Sequence, residues 1–111
     1  MQDEWVEVGS AADLAPGEMM RVELDPPVAI YNIKGTFYAT ADTCTHEVAP
    51  LSEGFLDDDV VECAFHFAKF CVRTGEALTF PATEPLDRYV VDVRDGLLLV
   101  STQPISREQT E

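Results

Sequence analysis

Few basic side chains are present: seven Lys and Arg stand against 21 Asp and Glu, a formal net charge of −14 at pH 7. Phosphate backbones and anionic lipid surfaces are gripped through Lys and Arg, so nucleic acid and membrane are excluded as partners. A partner with a basic face is favoured instead. No apolar run approaches the roughly 20 residues that a membrane helix needs. Met1-Gln2-Asp3-Glu4-Trp5 has neither a basic n-region nor an apolar h-region, so no signal peptide or twin-arginine signal is expected and the inside of a cell is the default address. Cysteine is scarce too: the three present are an odd number, which fits a disulfide framework poorly. In a reducing compartment such cysteines serve as metal ligands or small buried residues. Histidine is scarcer still, and each of the two stands close to a cysteine.

With 111 residues the chain is expected to form a single domain spanning 1–111, able to bury a modest core without cross-links. Helical periodicity is almost missing. Trp5-Val6-Glu7-Val8 alternates as a half-buried strand, and Met19 to Leu24 and Val28 to Ile33 are further strand candidates. Ser10 reads as the N-cap of one helical turn that Pro16-Gly17 ends. Lys34-Gly35 is a two-residue hairpin into Thr36–Thr40, and Asp95-Gly96 joins Tyr89–Val93 to Leu97–Val100. The polar residues from Ser101 onward are expected to form a flexible tail, about 101–111. Residues 42–86 read as two loop-rich stretches around Val60-Val61-Glu62 rather than a regular meander. The fold class is all-β.

The chemistry lies in that middle region. Cys44-Thr45-His46 and Cys63-Ala64-Phe65-His66 each place a thiol and an imidazole on one short loop. Two Cys and two His could complete a tetrahedral zinc site, although structural zinc knuckles usually pair like with like. A mixed knuckle suits a binuclear object, with both thiolates on one iron and both imidazoles on the other.

The motif and its surroundings resemble the Rieske ferredoxins of bacterial aromatic-ring dioxygenase systems. The likeness is carried by Asp42-Thr43-Cys44-Thr45-His46, Leu51-Ser52-Glu53-Gly54, Val61-Glu62-Cys63-Ala64-Phe65-His66, Lys69-Phe70-Cys71-Val72-Arg73-Thr74-Gly75 and Phe80-Pro81-Ala82. The resemblance implies a Rieske fold: three antiparallel sheets with a loop-built tip, the cluster-binding region lying near 42–86. It also implies one [2Fe–2S] cluster, with Cys44 and Cys63 on the inner iron and His46 and His66 on the outer one. Pro81 would belong to a third loop that shields the cluster. Many relatives carry glycine where this chain has Glu47 and Ala68.

Two ferric irons, two sulfides, two thiolates and neutral imidazoles sum to no net charge, so an added electron is less opposed than in an all-thiolate cluster. Respiratory-chain members carry two further cysteines, whose places are taken here by Ala49 and Phe65. Phe67-Ala68 likewise replaces a Gly-Ser pair that donates to a sulfide, so the expected potential is low, about −150 mV.

The function implied is a soluble, monomeric one-electron carrier in the bacterial cytoplasm. It would link an NAD(P)H-dependent flavoprotein reductase to a terminal oxygenase of aromatic rings. No nucleophile–base pair or dinucleotide fingerprint appears, so the chain is read as an electron-transfer component and not as an enzyme. The alternatives are a small Rieske-like subunit of an assimilatory nitrite reductase or a zinc-stapled interaction module. Cys71 is read as a small buried strand residue, Trp5 as a strand anchor, and Phe65, Phe67, Phe70 and Phe80 as packing around the loops. From Gly35 to Ala68 there is no Lys or Arg, while Asp42, Glu47, Glu53, Asp57, Asp58, Asp59 and Glu62 are expected to form an acidic face.

Overall fold

The computed structural model describes residues 5–24, 26–43, 50–63, 68–79 and 85–105. Nine strands are described: β1 (Trp5–Ser10), β2 (Met19–Val22), β3 (Val28–Ile33), β4 (Thr36–Ala41), β5 (Phe55–Asp57), β6 (Val60–Glu62), β7 (Lys69–Cys71), β8 (Arg88–Arg94) and β9 (Leu97–Pro104). Two short 3-10 turns, Ala11–Asp13 and Leu51–Glu53, are the only helical elements among the described residues. The all-β expectation holds.

The hairpins follow the turn chemistry. Lys34 and Gly35 take φ of 53° and 95°, and Asp95 and Gly96 take 54° and 79°. Such left-handed pairs match the twist of the flanking strands. The Ser10 side chain caps the first 3-10 turn by accepting from the Ala12 N–H at 3.3 Å.

Among the described residues the sheets number two: a six-stranded one in the order β1-β9-β8-β4-β3-β2, and a three-stranded one, β5-β6-β7. Three sheets were expected. The six-stranded sheet consists of halves β1-β9-β8 and β4-β3-β2, whose ladder is continuous only through Ala39↔Tyr89 and Thr40↔Arg88. That narrow seam makes two three-stranded halves count as one sheet.

The middle region departs from expectation. Its described residues include a short meander of β5, β6 and β7, whose strands are three residues each, too short for an alternation pattern to register in sequence. Ser101–Pro104, expected to open a flexible tail, instead extend β9; Ser101 is buried and pairs with Trp5. Residues 106–111 lie outside the described part of the chain. β2 stops at Val22, two residues early, because the Leu24 N–H turns back onto the Val22 carbonyl at 2.9 Å.

β3 is buried along its whole length and divides the interior. Val28 and Ile30 pack with Leu14, Ala39, Tyr89 and Val100 on one side. Ala29, Tyr31 and Ile33 pack on the other against Leu51, Val61, Cys63, Ala68, Phe70, Val72 and Leu86. The small sheet is thereby seated on one face of β3. Two buried polar groups on this strand are satisfied. The Tyr31 hydroxyl pairs with Thr40 Oγ1 at 2.8 Å, and Asn32 donates to the Leu14 carbonyl at 2.7 Å while accepting from the Gly35 N–H. Burial pushes the Tyr31 phenol well above its ordinary range, partly offset by the Thr40 hydrogen bond, and the nearby Asp42 charge raises it further.

Candidate metal centre

Of the four expected ligands, Cys63 is placed, while Cys44, His46 and His66 lie outside the described residues. Glu47, Ala49, Phe65, Phe67, Phe80, Pro81 and Ala82 lie outside them too. The flanks of these segments are described, and they converge.

Segment 44–49 is closed at its base by a bridge between Thr43 and Pro50. Asp42, directly before it, is fully buried. Its carboxylate accepts from the Ser52 N–H at 2.8 Å, the Ser52 hydroxyl at 3.1 Å and Arg21 Nη1 at 3.0 Å. Its carbonyl accepts from the Leu51 N–H at 2.6 Å, and its own N–H donates to the Pro27 carbonyl at 3.0 Å. The chain on both sides of segment 44–49 is therefore tied to Asp42.

Segment 64–67 is closed by the Cys63 N–H donating to the Ala68 carbonyl at 2.8 Å, next to the Glu62↔Lys69 pair of β6 and β7. Cys63 is completely buried and free of any disulfide. Ala68 is also buried and is not among the described residues with positive φ, so an alanine is accommodated there without strain.

Gly54 brings the two bases together. A Cβ at this position would collide with the Glu62 carbonyl oxygen, so only glycine lets the turn after Leu51–Glu53 lie against the strand that delivers Cys63. The third segment, 80–84, leaves from Thr79, whose hydroxyl accepts from the Lys69 N–H at 3.0 Å. It returns before Leu86, whose N–H is held by the Gly75 carbonyl at 2.7 Å. The second and third segments thus leave from the same end of the small sheet, at Cys63 and Thr79, and the chain after the first enters that sheet through the Leu51–Glu53 turn.

This arrangement fits an iron–sulfur cluster. A reduced, water-excluded thiol at a loop base is a soft ligand suited to iron. The Gly54 close approach brings the Leu51–Glu53 turn, which follows the first segment, against the strand that ends at Cys63. The other expected donors, Cys44, His46 and His66, are by side-chain type one thiol and two imidazoles, the kinds that a mixed thiolate–imidazole cluster takes.

Sequence reasoning misplaced one residue and missed two. Asp42 was counted in the acidic face, but it is a buried structural anchor because Arg21 and Ser52 neutralise and solvate it. Arg21 went unnoticed; an arginine inside a short strand otherwise rich in apolar residues was the available signal. Gly54 stood in the quoted Leu-Ser-Glu-Gly block without a stated role. In the acidic face proper, Asp58 pairs with Lys34 and Asp59 with Arg73, each at 3.4 Å. Phe70 is buried as expected, and Cys71 is half-buried at the end of β7. Trp5 sits in β1 with the Arg94 guanidinium 5.1 Å from its ring centre.

Comparison with known proteins gives a consistent result. The Rieske [2Fe–2S] domain family matches residues 4–90. The ferredoxin component of biphenyl 2,3-dioxygenase from Rhodococcus jostii is 53% identical over 95 residues, 85% of this chain and 89% of that one. The ferredoxin subunit of 3-phenylpropionate/cinnamic acid dioxygenase from Escherichia coli K12 is 47% identical over 90 residues, covering 80% and 85%. A chain from the complex of reduced oxygenase and oxidized ferredoxin in carbazole 1,9a-dioxygenase superposes with a TM-score of 0.89 at 43% identity, covering 92% of this chain and 96% of that one. The Sphingomonas yanoikuyae B1 ferredoxin gives a TM-score of 0.84 at 31% identity, covering 90% and 100%.

Proposed function

The chain belongs to the Rieske [2Fe–2S] domain family, and from that premise we propose that it is the ferredoxin component of an aromatic ring-hydroxylating dioxygenase system. It carries electrons and does not itself catalyse. When bound, a Rieske cluster accepts and releases one electron at a time. Cys44 and Cys63 would hold one iron through their thiolates, and His46 and His66 the other through their imidazoles. The observation that carries this assignment is Cys63: a buried, reduced thiol at the base of one ligand loop, locked through Glu62 and Gly54 to the base of the other.

The residues around the ligands have defined tasks. Asp42 and Ser52 fix the first loop, and the Cys63–Ala68 hydrogen bond fixes the second. Ala29, Tyr31 and Ile33 seat the small sheet on β3, which fixes the ligand-bearing end against the base in the folded state. Rigidity matters because a ligand frame that changes little between oxidation states keeps the reorganisation small when an electron arrives or leaves.

The electrons come from an NAD(P)H-dependent flavoprotein reductase and go to the terminal oxygenase, whose own site selects the ring. The protein works as a monomer in the bacterial cytoplasm, as one domain spanning 1–111. The excess of 21 acidic over seven basic residues supports partners with basic faces.

Anaerobic purification tests the assignment. Two irons and two sulfides per chain are expected, with a rhombic EPR signal on reduction. Replacing Cys44, His46, Cys63 or His66 with Ala should abolish that signal. Stoichiometric zinc without sulfide would overturn the assignment in favour of a zinc-stapled module.

A further inference from the structure

Four large apolar side chains stand exposed among the described residues, and two of them, Phe55 at 59% and Leu78 at 45%, belong to the small sheet. The strand register explains why they share a face. Phe55 pairs with Glu62, and Glu62 with Lys69. Hydrogen bonds from the Cys71 N–H to the Glu76 carbonyl and from the Leu78 N–H to the Lys69 carbonyl continue the pairing through 76–78. Phe55, Glu62, Lys69 and Leu78 therefore form one row across the sheet, three strand spacings or about 14 Å long. The alternate row, Leu56, Val61, Phe70 and Ala77, packs into the core, so the first row points outward.

Position and charge narrow what could cover this row. Glu62 immediately precedes Cys63 and Lys69 immediately follows Ala68, so the row borders the closed base of the second ligand loop. Acidic side chains surround it: Asp57 and Glu76 in the next outward row, Glu53 before it and Asp58 at the hairpin turn. Two apolar ends within an acidic rim suit a protein surface with an apolar recess rimmed by Lys and Arg.

We propose that this outward row is the lateral anchor by which the terminal oxygenase holds the protein, Phe55 and Leu78 filling apolar recesses beside a basic rim. The inference rests on the carrier function proposed above. It adds a grip on the side of the small sheet, from which a partner can orient the ligand-bearing end without covering all of it.

The test uses the dithionite-reduced holoprotein and a ring-hydroxylating oxygenase that it reduces, with transfer followed by stopped flow over a range of oxygenase concentrations. Phe55→Ser and Leu78→Ser should each raise the half-saturating oxygenase concentration at least five-fold, with the EPR signal and limiting rate unchanged. Val93→Ser alters an exposed apolar residue of β8 and should change neither quantity. Equal affinity in all three variants and the wild type would overturn the inference while leaving the carrier function intact. A loss confined to reduction by the flavoprotein reductase would also overturn it, assigning the row to the other partner. If the wild type reduces no such oxygenase, the carrier function fails and the inference with it.

Discussion

Replacing Asp42 with Ala should weaken the ligand-bearing end of the molecule more than any other single polar substitution described here. The carboxylate is fully buried and accepts three hydrogen bonds, from the Ser52 N–H, the Ser52 hydroxyl and Arg21. Removing a buried partner costs about 1–3 kcal/mol for each group left unsatisfied, and breaking a buried ion pair about 3–5. The full sum does not apply. Arg21 is 37% exposed and keeps Glu23 at 2.6 Å, so it retains a partner and water. The Ser52 hydroxyl can rotate, which leaves the Ser52 N–H as the main orphan. A net loss of about 2–4 kcal/mol is expected, lowering the unfolding midpoint by roughly 9–17 °C. Asp42→Asn should cost less, about 1–2 kcal/mol, because an amide oxygen can still accept from Ser52 while its NH2 group confronts Arg21. Thermal bleaching of the visible absorption of the holoprotein, with iron release to a chelator in parallel, measures both. Asp42→Ala bleaching within 2 °C of the wild type, with equal iron release, would refute the view that this carboxylate pins the first loop.

Two other substitutions probe the same end. Gly54→Ala places a methyl group against the Glu62 carbonyl oxygen, and because that atom is backbone it cannot swing aside; a loss of about 1–3 kcal/mol and faster iron release are expected, readable by chelator challenge. Cys71→Ser should leave iron content and the EPR signal as in the wild type, since Cys71 ends β7 on the face away from the core; a change in g-values would contradict the four-ligand set.

What could be read in the sequence and what could not divide along the range of the forces involved. The Lys34-Gly35 and Asp95-Gly96 hairpins were legible because their left-handed dihedrals are a property of two adjacent residues. β3 was legible from its apolar run, and its burial on both faces follows from that run. The buried state of Asp42 was not legible, because it depends on Arg21 arriving from another strand and on Ser52 folding back across the first ligand loop. Nothing local marks those partners. The same holds at the end of β9: Ser101 and its neighbours look like a polar tail, yet pairing of Ser101 with Trp5 keeps them in the sheet. The row from Phe55 to Leu78 was hidden for a third reason, since it becomes a row only once three short strands and the segment 76–78 are in register.

The small sheet interrupts the chain between β4 and β8, yet those two strands pair with each other across the interruption. The six-stranded base therefore keeps its strand pairing without it, and the molecule should open as two units of unequal strength, although loss of the small sheet bares one face of β3. Amides of β3, buried on both sides, should be the slowest to exchange with solvent deuterium. Those of β5, β6 and β7, in strands of three residues each, should exchange sooner and together. Opening of the weaker unit exposes the Cys63 thiol while the base persists as a template for reclosure. Cofactor insertion and loss should then need only this partial opening, and iron release tracking exchange of the β5-β6-β7 amides rather than those of β3 would show it.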